Sequence, residues 1–421
     1  MLWAKLLPVK AETETKLHRW RIIGILGFTQ IVSWGSLYYG FSILAPSVQN
    51  DLKWQPAIVF GAFSACILIA GLLSTPVGIA LDRLGGRRMM AVGSVLCSAG
   101  FFALTNVHLV LTYYLTWMLL GVAMSLTFYE AAFATINREL ADGARNGIAT
   151  LTLFAGFSST VFWPLTVKLN NAIGWRRTYF VFALMQIALC APLHLLLPRR
   201  VKHVHAEQVT DGSGSDYTLK EAVRHPAFWK LALAFAANYF IFASLSIHLI
   251  PLLRKIGHPL TTSVAMVALI GPMQVVGRIA ERIFARDALP QTSGKVTLSI
   301  LPVALIGLIL AGQCRWIAAS FCILYGLSNG IVTIVRGTIP QALFGRQHYG
   351  AIAGALAGPA LISQAAGPLI TATIIQAASS PYTPLIILLL VSLISLGFYL
   401  LAIRMKSTPA GEPSAISPAR L

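Results

Sequence analysis

A charged side chain in an apolar run costs several kcal/mol unless a partner or water meets it, so such residues are where chemistry is sought first. Glu130 is the one carboxylate well inside an apolar stretch, and Arg336 the one arginine so placed. A planar guanidinium suits a carboxylate ligand, which makes Arg336 the best anion clamp in the chain. Three roles fit Glu130 and Arg336: gating or substrate binding, proton coupling through Glu130, and static pairing between helices. His248, just ahead of Pro251, either titrates during a working cycle or simply hydrogen-bonds within the fold. Tyr38, Tyr39, Tyr129, Asn238, Gln274, Asn329 and Gln364 supply dipoles suited to lining a polar cavity.

The chemistry of an enzyme is missing from the pattern. The sequence has no H-E-x-x-H, no pair of intramembrane aspartates and no Ser/His/Asp arrangement. A G-x-x-x-x-G-K-[ST] phosphate loop is also lacking, so work must be driven by a gradient and not by ATP. Cys66, Cys97, Cys190, Cys314 and Cys322 lie in or beside apolar runs without a C-x-x-C pair, as buried fillers do. His203 and His205 have no cysteine nearby. Neither a metal nor a cofactor is expected, and the chain reads as a non-enzyme.

Such isolated charges need elements to hold them. Of the 421 residues, 56% are hydrophobic and only 11% charged, against about 25% charged in soluble domains. Twelve spans of about 20 residues would take roughly 240 residues, or about 57% of the chain. The apolar runs fall at 21–45, 57–79, 89–106, 109–134, 147–169, 177–197, 227–250, 261–283, 296–313, 316–342, 351–377 and 382–403. Gly271-Pro272, Gly358-Pro359 and Gly367-Pro368 are expected to bend the eighth and eleventh of these. The organisation expected is a tail over 1–20, a bundle over 21–197, a flexible linker over 198–226, a second bundle over 227–404 and a disordered tail over 405–421. Residues 1–18 carry both signs and no compact apolar core, so they read as a retained tail and not a signal peptide.

A formal net charge of +18 could suggest nucleic acid. Sorting the lysines and arginines by loop removes that need. With both termini on one side, 23 of the 32 fall on that side, seven on the other and two inside spans. Positive loops face the cytoplasm, so both termini are expected there, and no nucleic-acid partner is called for.

The halves repeat. Gly78-x-x-x-Asp82-Arg83 closes the second span and Gly277-x-x-x-Glu281-Arg282 the eighth; Arg87 then matches Arg286. Gly147 and Gly350 open the fifth and eleventh spans, and Pro164-Leu165 recurs as Pro368-Leu369. Near-constant offsets of this kind point to two parallel six-helix repeats.

Gly78-Ile-Ala-Leu-Asp82-Arg83-Leu-Gly85-Gly86-Arg87-Arg88 resembles the G-x-x-x-D-R-x-G-x-R-R loop of the major facilitator superfamily. The resemblance implies an all-α membrane protein of twelve helices in two pseudo-symmetric six-helix bundles. It further implies that Gly78, Asp82, Arg83, Gly85, Arg87 and Arg88, with Glu281 and Arg282, latch the bundles, and that helices four and ten line the cavity. Gly174-Trp175-Arg176 and the bulky first span (Trp34, Tyr38, Tyr39) resemble bacterial monocarboxylate and oxalate/formate-type porters. Where those porters carry an acid–arginine pair in the middle of span eight, this chain has Gly271, Pro272, Met273 and Gln274. Arg278, Glu281 and Arg282 are expected at the cytoplasmic end of that span.

The reading is a monomeric secondary carrier of a bacterial inner membrane, moving a small organic anion by alternating access with protons as the coupling ion. An exporter of amphipathic compounds, or a carrier of a vitamin or cofactor precursor, is the alternative, served by aromatic surfaces.

Overall fold

A computed structural model describes residues 3–140, 143–198, 216–285, 288–378 and 380–404, with side chains from Leu17 onward. The expected linker core at 199–215, Arg286 and the 405–421 tail lie outside the described residues. Helix dominates because apolar side chains suit lipid and each backbone amide must find its partner within the segment. The spans are α1 (Leu17–Leu52), α2 (Pro56–Leu84), α3 (Gly86–Leu104), α4 (Val110–Glu139), α5 (144–173) and α6 (175–195). After them come α7 (Pro226–Ile256), α8 (Leu260–Phe284), α9 (Pro290–Ala311), α10 (Arg315–Phe344), α11 (Tyr349–Ala377) and α12 (Tyr382–Arg404).

α5 and α6 form one helical run of 52 residues, Ala144–Leu195. Straight, it would reach about 78 Å, far beyond a hydrocarbon layer of about 30 Å. Gly174 breaks it with φ 78° and ψ 167°, a conformation a side chain would resist. The chain then returns: Arg19 lies against Gly143 at the start of α5, and Arg21 donates to the Leu196 carbonyl just past α6. At the turn, Asp51 accepts from Trp175 Nε1 at 3.2 Å and Arg176 Nη2 at 3.3 Å, while Arg176 also donates to the Thr105 and Val107 carbonyls at 3.0 Å. Three loops of the first half are thereby tied together.

α1 to α6 bury one apolar core around Phe41, Trp117 and Tyr179 and another around Ile22, Ile136 and Ile148. α7 to α12 do the same around Phe228, Val335 and Tyr399, and around Leu245, Phe321 and Leu385. Leucines such as Leu72, Leu310 and Leu369 stay exposed on the outside, where lipid makes exposure cheap. The polar stretch between halves is not loop throughout. Leu219–Arg224 is a short helix capped by Thr218 and Glu221, whose side chains each take the other's backbone N–H, and the Tyr217 N–H docks on the Phe344 carbonyl.

The halves meet along α2 and α11, where Gly71, Ser74 and Gly78 oppose Gly358, Gly354 and Gly350 backbone to backbone. The first half of α5 also packs on α8 and α10, and the last turns of α4 on α10 and α11. All these contacts except the upper part of the α2–α11 seam lie near the end that carries the termini. Residues 158–173 of α5 have their principal neighbours within their own half. The halves are joined at the terminal end and part at the other.

The expected bends resolve differently in the two helices. α8 breaks at Leu269, because Pro272 has no N–H for the Ala268 carbonyl. α11 runs unbroken through both of its Gly-Pro pairs.

Candidate functional site between the halves

α4 is not one helix. Phe128, at φ −81° and ψ −166°, splits it into Val110–Thr127 and Tyr129–Glu139. A break at this depth frees backbone groups that lipid cannot satisfy, and the neighbouring span answers. The Gln30 amide donates to the Thr127 carbonyl at 2.5 Å, Trp34 Nε1 donates back to Gln30 Oε1 at 3.1 Å, and the indole stacks on Phe128 with centroids 4.1 Å apart. A six-residue π-helical turn over Trp34–Tyr39 lets α1 present Trp34, Tyr38 and Tyr39 here.

The break places Glu130 in the first turn of a new helix, where the positive end of the peptide dipoles favours a carboxylate. Across the seam, Arg336 of α10 reaches Glu130 Oε1 at 3.3 Å; the two side chains are 9% and 18% exposed. The Arg336 guanidinium also faces the ring of Tyr239 at 4.9 Å and that of Tyr129 at 6.0 Å. A guanidinium among rings gains from their negative faces.

Arg278 of α8 is a second cation of this region. It lies at the terminal side of α8, as expected from its position, but only 5% exposed. It crosses to α5, donating to the Thr152 carbonyl at 2.9 Å through the gap left by Gly156. Its Nε is buried with no hydrogen-bond partner, and it has no carboxylate partner among the described residues.

The other singled-out polar residues divide. Tyr38 is a neighbour of Gln364 on α11, across the halves; its ring also packs edge-on to Tyr39 and Phe63. Tyr39 meets Trp163 edge-on at 5.7 Å. Asn238 is buried beside Tyr239, whereas Gln274 and Asn329 are half-buried. His248 is tied within the second half: its Nε2 is 2.9 Å from the Pro368 carbonyl, one turn from a Thr371–Ser244 hydrogen bond.

At the terminal end the acids of the repeated motif cross the seam in both directions. Asp82 accepts from the Gly350 and Ala351 N–H groups at 2.9 and 2.8 Å, at the start of α11. Arg138 clamps the Leu81 and Asp82 carbonyls, and Arg346 donates to the Asn137 carbonyl at 2.9 Å. Glu281 takes Arg145 at 2.9 Å, at the start of α5; Arg145 also donates to the Ala285 and Ala288 carbonyls. Arg282 bonds the Thr150 hydroxyl. Gly85 makes the loop turn with φ 83°. Arg87 stays in its own half, 3.5 Å from the Leu197 carbonyl, and Arg83 and Arg88 are exposed.

Gln30, Arg138, Arg145, Tyr239 and Arg346 escaped the sequence reading, which placed Arg278 at the end of α8 without its reach to α5. Arg145 and Arg346 carry a usable signal, since each stands a few residues ahead of a matched glycine, Gly147 or Gly350. Gln30 has none, because its role exists only once α4 breaks.

The sequence profile of the Major Facilitator Superfamily matches residues 25–358. The chain belongs to that superfamily. YcxA of Bacillus subtilis (strain 168), an uncharacterized MFS-type transporter, is 21% identical over 343 residues, covering 77% of this chain and 80% of that protein. YhjX of Escherichia coli (strain K12), also an uncharacterized MFS-type transporter, is 26% identical over 192 residues, covering 43% and 44%. Among solved structures, the human organic anion transporter MFSD10 (TETRAN) superposes with a TM-score of 0.70 at 14% identity, covering 90% of this chain and 99% of that one. The E. coli fucose:proton symporter FucP gives the same score and identity, covering 90% and 98%. These superpositions establish the fold, and membership of the superfamily makes the chain a multi-pass membrane transporter of a small-molecule substrate, not an enzyme.

Proposed function

We propose that this superfamily member carries a small organic anion by alternating access, with the terminal end in the cytoplasm of a bacterial inner membrane. The setting of Arg336 carries the reading: a mostly buried guanidinium between the halves, held by the single carboxylate of Glu130 and facing the rings of Tyr239 and Tyr129. A buried arginine needs a partner, and an incoming carboxylate supplies one by taking the place Glu130 shares with Arg336. The guanidinium offers a planar fork to such a ligand, and rings on either side accept an apolar body. Of the two structural neighbours, the organic anion transporter supports the choice of an anion and the fucose:proton symporter that of a proton. The joined terminal end and the parted opposite end correspond to a carrier open to the outside. Glu130, released from Arg336 when an anion binds, is the group placed to take up a proton.

Uptake of a panel of labelled carboxylates into proteoliposomes tests the reading. Arg336→Ala is expected to abolish saturable uptake of the best anion. Retention of that uptake by Arg336→Ala would favour the aromatic-compound carrier, for which the rings of Trp34, Phe63, Tyr129 and Trp163 supply stacking surface.

A further inference from the structure

The binding region between the halves does not absorb a second basic feature, a cleft of about 590 Å³ near the terminal end. Its walls are Arg19 and Trp20 of α1, Asn146 and Thr150 of α5, and Arg282 and Ile283 of α8. Two guanidiniums face it and no carboxylate lines it. Arg19 has no hydrogen-bond or ion-pair partner among the described residues, and Arg282 commits one N–H to Thr150. The outer rim is apolar: Ile283 is 64% exposed, Phe284 87% and Ile279, one turn deeper on α8, 43%. Trp20, 56% exposed, is the residue type that settles at the level of lipid headgroups.

We propose that this cleft holds the headgroup of an anionic glycerophospholipid, with its acyl chains running down α8 past Ile279. A phosphodiester between Arg19 and Arg282 matches the charge, the side-chain amide of Asn146 suits glycerol oxygens, and the rim suits hydrocarbon. Basic pockets between transmembrane helices on the cytoplasmic side are the usual hosts for such headgroups. The walls come from both halves, so the cleft is complete only while the terminal end is joined. A ligand that binds one state alone shifts the equilibrium toward it, so the lipid stabilises the outward-open carrier and slows its opening inward.

The test uses the full chain in neutral detergent, with phosphatidylglycerol, phosphatidylcholine or inorganic phosphate added. Phosphatidylglycerol is expected to raise the melting midpoint of the wild type, and the other two to leave it in place. Arg19→Gln, whose midpoint without added lipid should match the wild type, is expected to lose most of that shift. Arg254→Gln, an exposed arginine at the opposite end, keeps it. In vesicles, hydrogen exchange of residues 144–150 in the wild type should slow when phosphatidylglycerol is mixed into phosphatidylcholine. An equal shift with phosphatidylcholine, reproduction by free phosphate, an undiminished shift in Arg19→Gln, or unchanged exchange would each overturn the proposal. Protection that ignores the lipid and vanishes on deleting residues 405–421 would assign the cleft to the chain's own tail instead. None of these readouts depends on which anion is carried.

Discussion

At the scale of single residues, the proposal rests on two intramembrane charges. Glu130 and Arg336 pair at 3.3 Å across the seam, and removing one member of a largely buried pair costs about 3–5 kcal/mol because the other is stranded. Arg336→Glu and Glu130→Arg should each lower the melting midpoint sharply. The double reversal is expected to recover part of both stability and transport; a double variant as inactive as each single one would separate the pair from gating. That these residues are candidates was legible in the sequence, since a lone acid and a lone arginine in apolar runs draw notice; that they pair is what the structure adds. The reach of Arg278 was not legible. Its spacing puts it near the end of α8, and only the gap at Gly156 lets its long side chain reach α5. Tyr239 was passed over for its neighbour Asn238 because polarity outranked ring area in the sequence argument, whereas the structure puts the ring against Arg336.

At the scale of elements, the span count and the repeat were readable because hydrophobic length and glycine spacing are strong local signals. The break in α4 was not, for Thr127-Phe128-Tyr129 contains neither Gly nor Pro. It is sustained by a distant amide, Gln30, and by an indole, so tertiary contacts override local propensity. The reverse holds in α11, where two Gly-Pro pairs promise bends yet the helix stays unbroken, its glycines spent instead on closeness to α2 and α7. Gly78→Leu tests that closeness. A side chain there would strike the Gly350 carbonyl, push α11 away and strip Asp82 of its two N–H donors. The terminal end should then open, read as faster thiol labelling of a cysteine placed at Ala351; labelling as slow as in the wild-type background would mean that the seam yields without parting.

At the scale of the whole molecule, the pseudo-symmetric exchange of acids sets a preferred state. Asp82 reaches from the first half to the start of α11, and Glu281 from the second half to the start of α5. Each half thus holds the other at the same end, the one that carries the termini. A small imposed change must release both contacts together, which makes the switch cooperative. With Glu130 as the proton acceptor, uptake of the carried anion is expected to rise when the outside of the proteoliposome is made acidic and to lose that dependence in Glu130→Gln. Uptake indifferent to the gradient in the wild type would mark an anion exchanger instead.

The seam between α2 and α11 has one more consequence. From Gly71 to Gly78 the two backbones come into contact with only the small Ser74 and the Cβ of Leu361 beside them, which leaves little room for solvent along that flank. Protons and sodium therefore find no leak there while the halves rock, and electrical insulation of the membrane during the cycle depends on the opposite flank, where α5 and α8 must open and reseal.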